Sequence, residues 1–177
     1  SGTWNITAQI NDTSGVGGVN TTATFTWNQL TAFVSSPTAL TWTSLSPGSS
    51  NQTSSNDPLL MNNTGNKNVT VNNIQINATS LRGETDNSKA IWAGNFTISI
   101  LSSGTIECSV DSNQTTVMAA GVFTNVTNST LPHGNHSAGD GTTGQEQLYA
   151  CIRTIGSELS SQSYSTANEG AWTIKVT

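Results

Sequence analysis

The residues that could do chemistry are few, and most gather in one stretch. His133 and His136 stand three apart near Asp140, in Leu131-Pro-His-Gly-Asn-His-Ser-Ala-Gly-Asp. Two imidazoles and a carboxylate form a ligand set for zinc or copper. The surrounding sequence is Gly-rich, however, and a metal centre needs firm scaffolding, so solvated loop histidines are the simpler reading. Just beyond, Gly139-Asp-Gly141-Thr-Thr-Gly144 has the letters of the dinucleotide fingerprint. That fingerprint works only between the strand and helix of a βαβ unit, and no such unit is legible. No Gly-x-Ser-x-Gly elbow presents a serine nucleophile. Glu84, Glu107, Glu146, Glu158 and Glu169 have no spacing that singles out a pair for glycoside cleavage. Lys67, Lys89 and Lys175 are the candidates for a lysine–asparagine cross-link. Asn11-Asp12 and Asp86-Asn87 are candidate calcium turns, each with one carboxylate where such sites usually have several. The expectation is a chain without a cofactor, a metal or an enzymatic activity.

Two other kinds of residue carry a stronger covalent signal. Asn-x-Ser/Thr acceptors for N-glycans occur at Asn5, Asn11, Asn20, Asn51, Asn62, Asn68, Asn77, Asn95, Asn113, Asn125, Asn128 and Asn135. Twenty asparagines in a chain about 30% Ser and Thr would give about six by chance, so the twelve are a twofold excess. Cys108 and Cys151 are the only cysteines, and an even count in an extracellular-looking chain reads as a disulfide.

The composition agrees with that setting. Charged residues make up 8% of the 177 positions, whereas 24 Ser and 29 Thr supply the polar surface. Glycans would solvate an exterior too poor in charge to repel its own copies. Five Lys+Arg, a net charge of -5 and a pI near 4.6 exclude a nucleic-acid partner, because nothing can neutralise a run of phosphates. No apolar run reaches the roughly 18 residues of a membrane span, and no signal peptide is present.

The elements that must position these residues are strands. Trp4, Ile6, Ala8 and Ile10 alternate with polar residues, a Gly/Asx turn follows at residues 11–18, and Val19, Thr21, Ala23, Phe25 and Trp27 alternate again. Residues 1–29 therefore read as a β-hairpin, and residues 30–177 as a sandwich of short strands separated by turns every 8–12 residues. Strands are expected at Leu40–Leu45, at Val69–Ala78 with a bulge at Asn72-Asn73, at Asn95–Leu101, through Ile106, Cys108 and Val110, and across Val117–Val126. Residues 128–144 read as a long loop, and Gly144–Ile155 as a strand or a helix. A last hairpin is expected to join residues 162–165 to Trp172, Ile174 and Val176 through Asn168-Glu169-Gly170. The five tryptophans, Trp4, Trp27, Trp42, Trp92 and Trp172, read as core, with a sugar-stacking platform as the alternative. Gly2-Thr-Trp4-Asn-Ile6 is echoed by Gly170-Ala-Trp172-Thr-Ile174 at the other end of the chain.

The run Leu40-Thr-Trp-Thr-Ser-Leu-Ser-Pro-Gly-Ser-Ser-Asn-Gln, then Leu60-Met-Asn-Asn-Thr-Gly-Asn and Val69-Thr-Val, resembles the opening strands of immunoglobulin-like modules in archaeal cell-surface proteins. Gly2-Thr-Trp-Asn-Ile-Thr with Asn11-Asp-Thr-Ser-Gly resembles the last hairpin of such a module. The resemblance spans about residues 1–80, and the loop at 128–144 departs from it. It implies an all-β, immunoglobulin-like antiparallel sandwich with an N-terminal hairpin, on the cell surface, in an S-layer-like or filament-forming role. A lone hairpin is marginal in water. It must complete its own sandwich or a neighbour's by strand addition. The expectation is a glycosylated subunit self-associating into a homopolymer; the alternative is a surface adhesion or carbohydrate-binding module.

Overall fold

The computed structural model describes residues 2–103, 106–136, 139, 141 and 143–177; the side chains of Asn20, Thr21 and Thr22 also fall outside the described set. The chain is all-β, and two single 3-10 turns, Ala93–Asn95 and Ile106–Cys108, are its helical elements among the described residues. No helix of the described residues is long and apolar enough to cross a membrane. Two compact units are present, Ser1–Leu30 and Thr31–Thr177.

The first unit is one antiparallel hairpin of β1 (Gly2–Asn11) and β2 (Gly17–Trp27). Its turn is built by Asp12, whose carboxylate accepts the N–H groups of Ser14 at 2.8 Å and Val16 at 2.9 Å, while Gly15 takes φ +79°. This is an Asx turn, with glycine at the left-handed position that other residues avoid. Alternation puts Trp4, Ile6, Phe25 and Ala23 on one face, with Trp4 and Phe25 directly opposed and their rings stacked at 6.4 Å. The register slips by one residue between Ile6 and Ala8, because β2 spends an extra residue there. Val19 consequently pairs with Gln9 rather than with a residue of the Trp4 face. The uninterrupted alternation expected across β2 is thus broken by a bulge.

The second unit is a sandwich. Its strands are β3 (Phe33–Ser36), β4 (Ser50–Thr53), β5 (Leu59–Asn63), β6 (Ile74–Asn77), β7 (Leu81–Gly83), β8 (Ala90–Ile91), β9 (Phe96–Ser99), β10 (Thr115–Val117), β11 (Thr124–Asn125), β12 (Gln145–Thr154), β13 (Tyr164–Ser165) and β14 (Thr173–Val176). The main sheet runs β10-β9-β12-β5-β3, with β4 also paired to β12; smaller sheets run β11-β6-β14 and β13-β7-β8. Every strand pair is antiparallel. Met61, Phe96, Ile98, Leu148 and Ile152 of the main sheet meet Ile74 and Ile76 of β6 in one apolar core. Phe96 is held edge-on between Trp42 (5.5 Å) and Trp172 (5.1 Å), whose indole N–H groups donate to the carbonyls of Gln52 and Thr79.

Several expected strands take other forms. Leu40–Leu45 is a loop: the Thr41 N–H donates to the Asn56 side chain and the Thr43 N–H to the Ser55 hydroxyl. Side-chain acceptors take backbone hydrogen bonds that a ladder would otherwise use, while Leu40, Trp42 and Leu45 still pack on the core. Asn72, at φ +62°, makes a turn rather than a bulge, so that Val69 bridges to Leu131 and the strand begins only at Ile74. Residues 106–108 form a 3-10 turn instead of a strand, and in the 117–126 region Val117 pairs with β9, Thr124–Asn125 with β6, and Ala120 makes an isolated parallel bridge to Ala78. β12 resolves the ambiguity at 144–155 in favour of a strand. The final hairpin is absent: β13 pairs with β7 and β14 with β6.

Candidate functional site

Two apolar surfaces stand out. On the hairpin, Trp4 is 59% exposed, Trp27 57% and Ile10 76%. A large patch of this kind on a soluble chain marks an interaction surface. Trp92 is exposed too, with the Arg82 guanidinium 4.9 Å above its ring. The core reading therefore holds for Trp42 and Trp172 and fails for Trp4, Trp27 and Trp92. Strand periodicity identifies the face a residue occupies but not whether that face is covered.

Within the sandwich, an apolar groove of about 430 Å³ opens between the main sheet and the β6–β14 sheet. Phe33, Leu40 and Trp42 form one wall, Trp172 and Ile174 the other, and Leu59, Ile76 and Ile98 the floor. Both bordering strands are sheet edges: β3 has β5 as its strand partner, and β14 has β6. An edge presents backbone donors and acceptors able to pair with an added strand. No local pattern announces this groove, because it is formed by residues from 33 to 174 brought together only by the topology.

The disulfide is present. Cys108 and Cys151 are bonded, with Cα atoms 5.2 Å apart. Cys151 sits at the centre of β12 on the face turned away from the core, and its bridge pins the 106–108 turn over that face, where Glu107 and Thr97 are buried. The Thr97 hydroxyl donates to the Glu107 carbonyl, so the turn is held by a hydrogen bond as well.

The glycan acceptors divide by exposure. Asn5, Asn11, Asn51, Asn68, Asn113, Asn125, Asn128 and Asn135 are exposed, whereas Asn62, Asn77 and Asn95 are half-buried; the Asn20 side chain lies outside the described residues. Asn113, Asn125 and Asn128 converge with Asn72 on one polar hollow of about 380 Å³. There the Asn125 side-chain oxygen accepts from Gln75 at 2.7 Å, and the Asn128 amide group donates to the Asn113 carbonyl at 2.9 Å. The Asn68 side-chain oxygen accepts the His133 N–H at 2.7 Å.

The Gly-rich stretch has a packing role. Gly144 sits at φ +79°, and a Cβ there would lie 2.7 Å from the Gly134 carbonyl oxygen, so the glycines allow two backbones to approach. His136 Nε2 lies 2.7 Å from the Asn63 carbonyl oxygen, and Asp140 lies outside the described residues. The two candidate calcium turns spend their carboxylates on backbone N–H groups, Asp12 as above and Asp86 on Ser88.

One half-buried carboxylate was not foreseen. Between β4 and β5 the ladder along β12 is interrupted by residues 54–58, and the Asp57 carboxylate fills the gap by accepting the Ala150 N–H at 3.2 Å. Burial pushes its pKa up to about 6; the Ala150 N–H opposes this and the nearby Glu107 charge adds to it. The folded chain therefore holds this proton more tightly than the unfolded chain, whose carboxyl titrates near 3.8. The resulting stability is fully present below the unfolded value and is lost as pH rises through about 6. Thermal melts should place the wild-type chain higher at pH 4 than at pH 7 relative to Asp57→Asn, in which that part of the pH dependence vanishes. Parallel pH profiles for the two would show that Asp57 is not the source.

Comparison with known proteins gives no match: no family model, curated protein or solved structure is similar to the chain.

Proposed function

We propose that the chain is an N-glycosylated structural subunit of an extracellular filament or cell-surface coat, of the kind implied by its resemblance to archaeal surface modules, and that copies join head to tail by β-strand complementation. The observation that carries this is the hairpin's exposed face of Trp4, Ile6 and Phe25, since two strands alone are marginal in water and such a face invites cover. The disulfide suits an oxidising compartment. A contact made by one end of a subunit on a different surface of the next is heterologous, and it propagates into a filament when the rotation does not close. A sugar-stacking module draws less support, because Trp42 and Trp172 pack edge-on against Phe96 with their indole N–H groups bonded to carbonyls, Trp4 is stacked on Phe25, and Arg82 covers one face of Trp92.

The test is sedimentation velocity on secreted, glycosylated protein over a hundredfold concentration range. A ladder of polymers growing with concentration is expected. A single monomer boundary throughout would overturn the assembly.

Peptide mapping tests the covering of sugar. Glycan should be found at Asn68, Asn113 and Asn125, which are exposed, in clear excess over Asn62, Asn77 and Asn95, which are half-buried. Unmodified peptides at all of the exposed positions, in protein from a glycosylating host, would remove the glycan part of the proposal.

A further inference from the structure

We infer that the groove between β3 and β14 is the acceptor, and that its occupant is the β1–β2 hairpin of a second copy of this chain. The inference rests on the assembly proposed above and names the surface it uses. The groove is lined mostly by apolar side chains and bordered by β3 and β14, each the end strand of its sheet among the described residues. An occupant that satisfies both must bring extended backbone with apolar residues at every second position. The hairpin is such a segment, with Trp4 and Ile6 on β1 and Ala23 and Phe25 on β2 sharing a face.

Charge fits as well. Among the described residues no Asp, Glu, Lys or Arg lines the groove, and Asp12, in the turn, is the only charged residue of the hairpin strands and their connection. The pairing therefore buries no unmatched charge, which would be costly.

The distribution of glycan acceptors gives an independent argument. Among the described residues no acceptor asparagine lines the groove, although the acceptors are spread from residue 5 to residue 135. On the hairpin, Asn5 pairs with Thr24, on the face opposite Trp4 and Phe25. A groove free of acceptor asparagines among the described residues suits a protein–protein contact. The groove is also where the sequence echo falls: Trp172 and Ile174, the wall residues, repeat the Trp4-x-Ile6 pattern.

The test is cross-linking between full-length chains. Val34, 53% exposed on β3, is replaced by cysteine in ¹⁵N-labelled protein, and Thr3 or Thr24, on the polar face of the hairpin, is replaced by cysteine in unlabelled protein. The two are mixed, assembled and treated with a short bis-maleimide, which leaves the Cys108–Cys151 bridge untouched. Labelled-to-unlabelled peptides joining residue 34 to residue 3 or 24 are expected, and adding Trp4→Ser and Phe25→Ser to the unlabelled chain should abolish them. In Thr24→Cys/Val34→Cys protein, cross-links confined to a single isotope would mean that each chain fills its own groove, overturning the inference. Polymers that form without any such cross-link would place the acceptor elsewhere, overturning the inference while leaving the assembly standing. Absence of polymers would remove both.

Discussion

Trp4→Ser combined with Phe25→Ser should abolish assembly while leaving the sandwich intact. The two rings are stacked on the hairpin's apolar face, at 59% and 46% exposure. Aromatic side chains bury ~150–250 Å² each in an interface. About half of that area is still exposed, so at ~25 cal/mol per Å² the pair represents roughly 4–6 kcal/mol of gross apolar burial. Ordering and association costs take part of that, but even half of it, about 2–3 kcal/mol, changes association by roughly 30- to 150-fold. Sedimentation velocity should therefore show the variant as a monomer at concentrations where the wild type is polymeric. The melting of Thr31–Thr177 should be unaltered, since neither residue belongs to that unit. Thr24→Ser, on the opposite face, should assemble normally. A double variant that still polymerises would show that the apolar face does not drive the contact.

The second large effect is expected from removing the disulfide. Cys108 and Cys151 are 43 residues apart in sequence. Opening that loop should cost about 4 kcal/mol on the chain-entropy account. For a chain of this size, each kcal/mol lowers Tm by ~2–4 °C, so the expected loss is roughly 8–16 °C. Cys108→Ala with Cys151→Ala is the suitable variant, because both sulfurs are buried and serine would add an unsatisfied hydroxyl. The damage should be local at first: the 106–108 turn, held otherwise by Thr97, should lose hydrogen-exchange protection before β12 does. A Tm within about 2 °C of wild type, less than the shift from 1 kcal/mol, would mean that burial of Glu107 and the Thr97 bond suffice to hold the turn.

Much of this molecule is legible in its sequence where a local rule is decisive. Period-2 alternation and the Asx-Gly turn identify the hairpin, because nothing beyond the two strands is needed to form it. The pairing of two lone cysteines is likewise simple. Reading fails where distant groups compete for the same backbone. Leu40–Leu45 alternates as a strand should, yet Asn56 and Ser55, more than ten residues on, take its N–H groups. The segment from 162 to 176 has the look of a hairpin, but its two halves find partners in β7 and β6, which no local pattern announces. The tryptophans divide for the same reason: alternation places Trp4 and Trp172 alike on an apolar face, and only the packing of Phe96 against Trp172 separates them. Asp57 is invisible until β4 and β5 are seen to share β12, and the groove until β3 and β14 are seen to end their sheets.

Hydrogen exchange compared between the dispersed and the assembled chain bears most directly on the claim that one copy completes another. Two stretches should gain protection together on assembly, the amides of β1 and β2 and those of the edge strands β3 and β14, by at least about tenfold in rate for every 1.4 kcal/mol contributed by the contact. Hairpin amides that exchange equally fast in both states would contradict it.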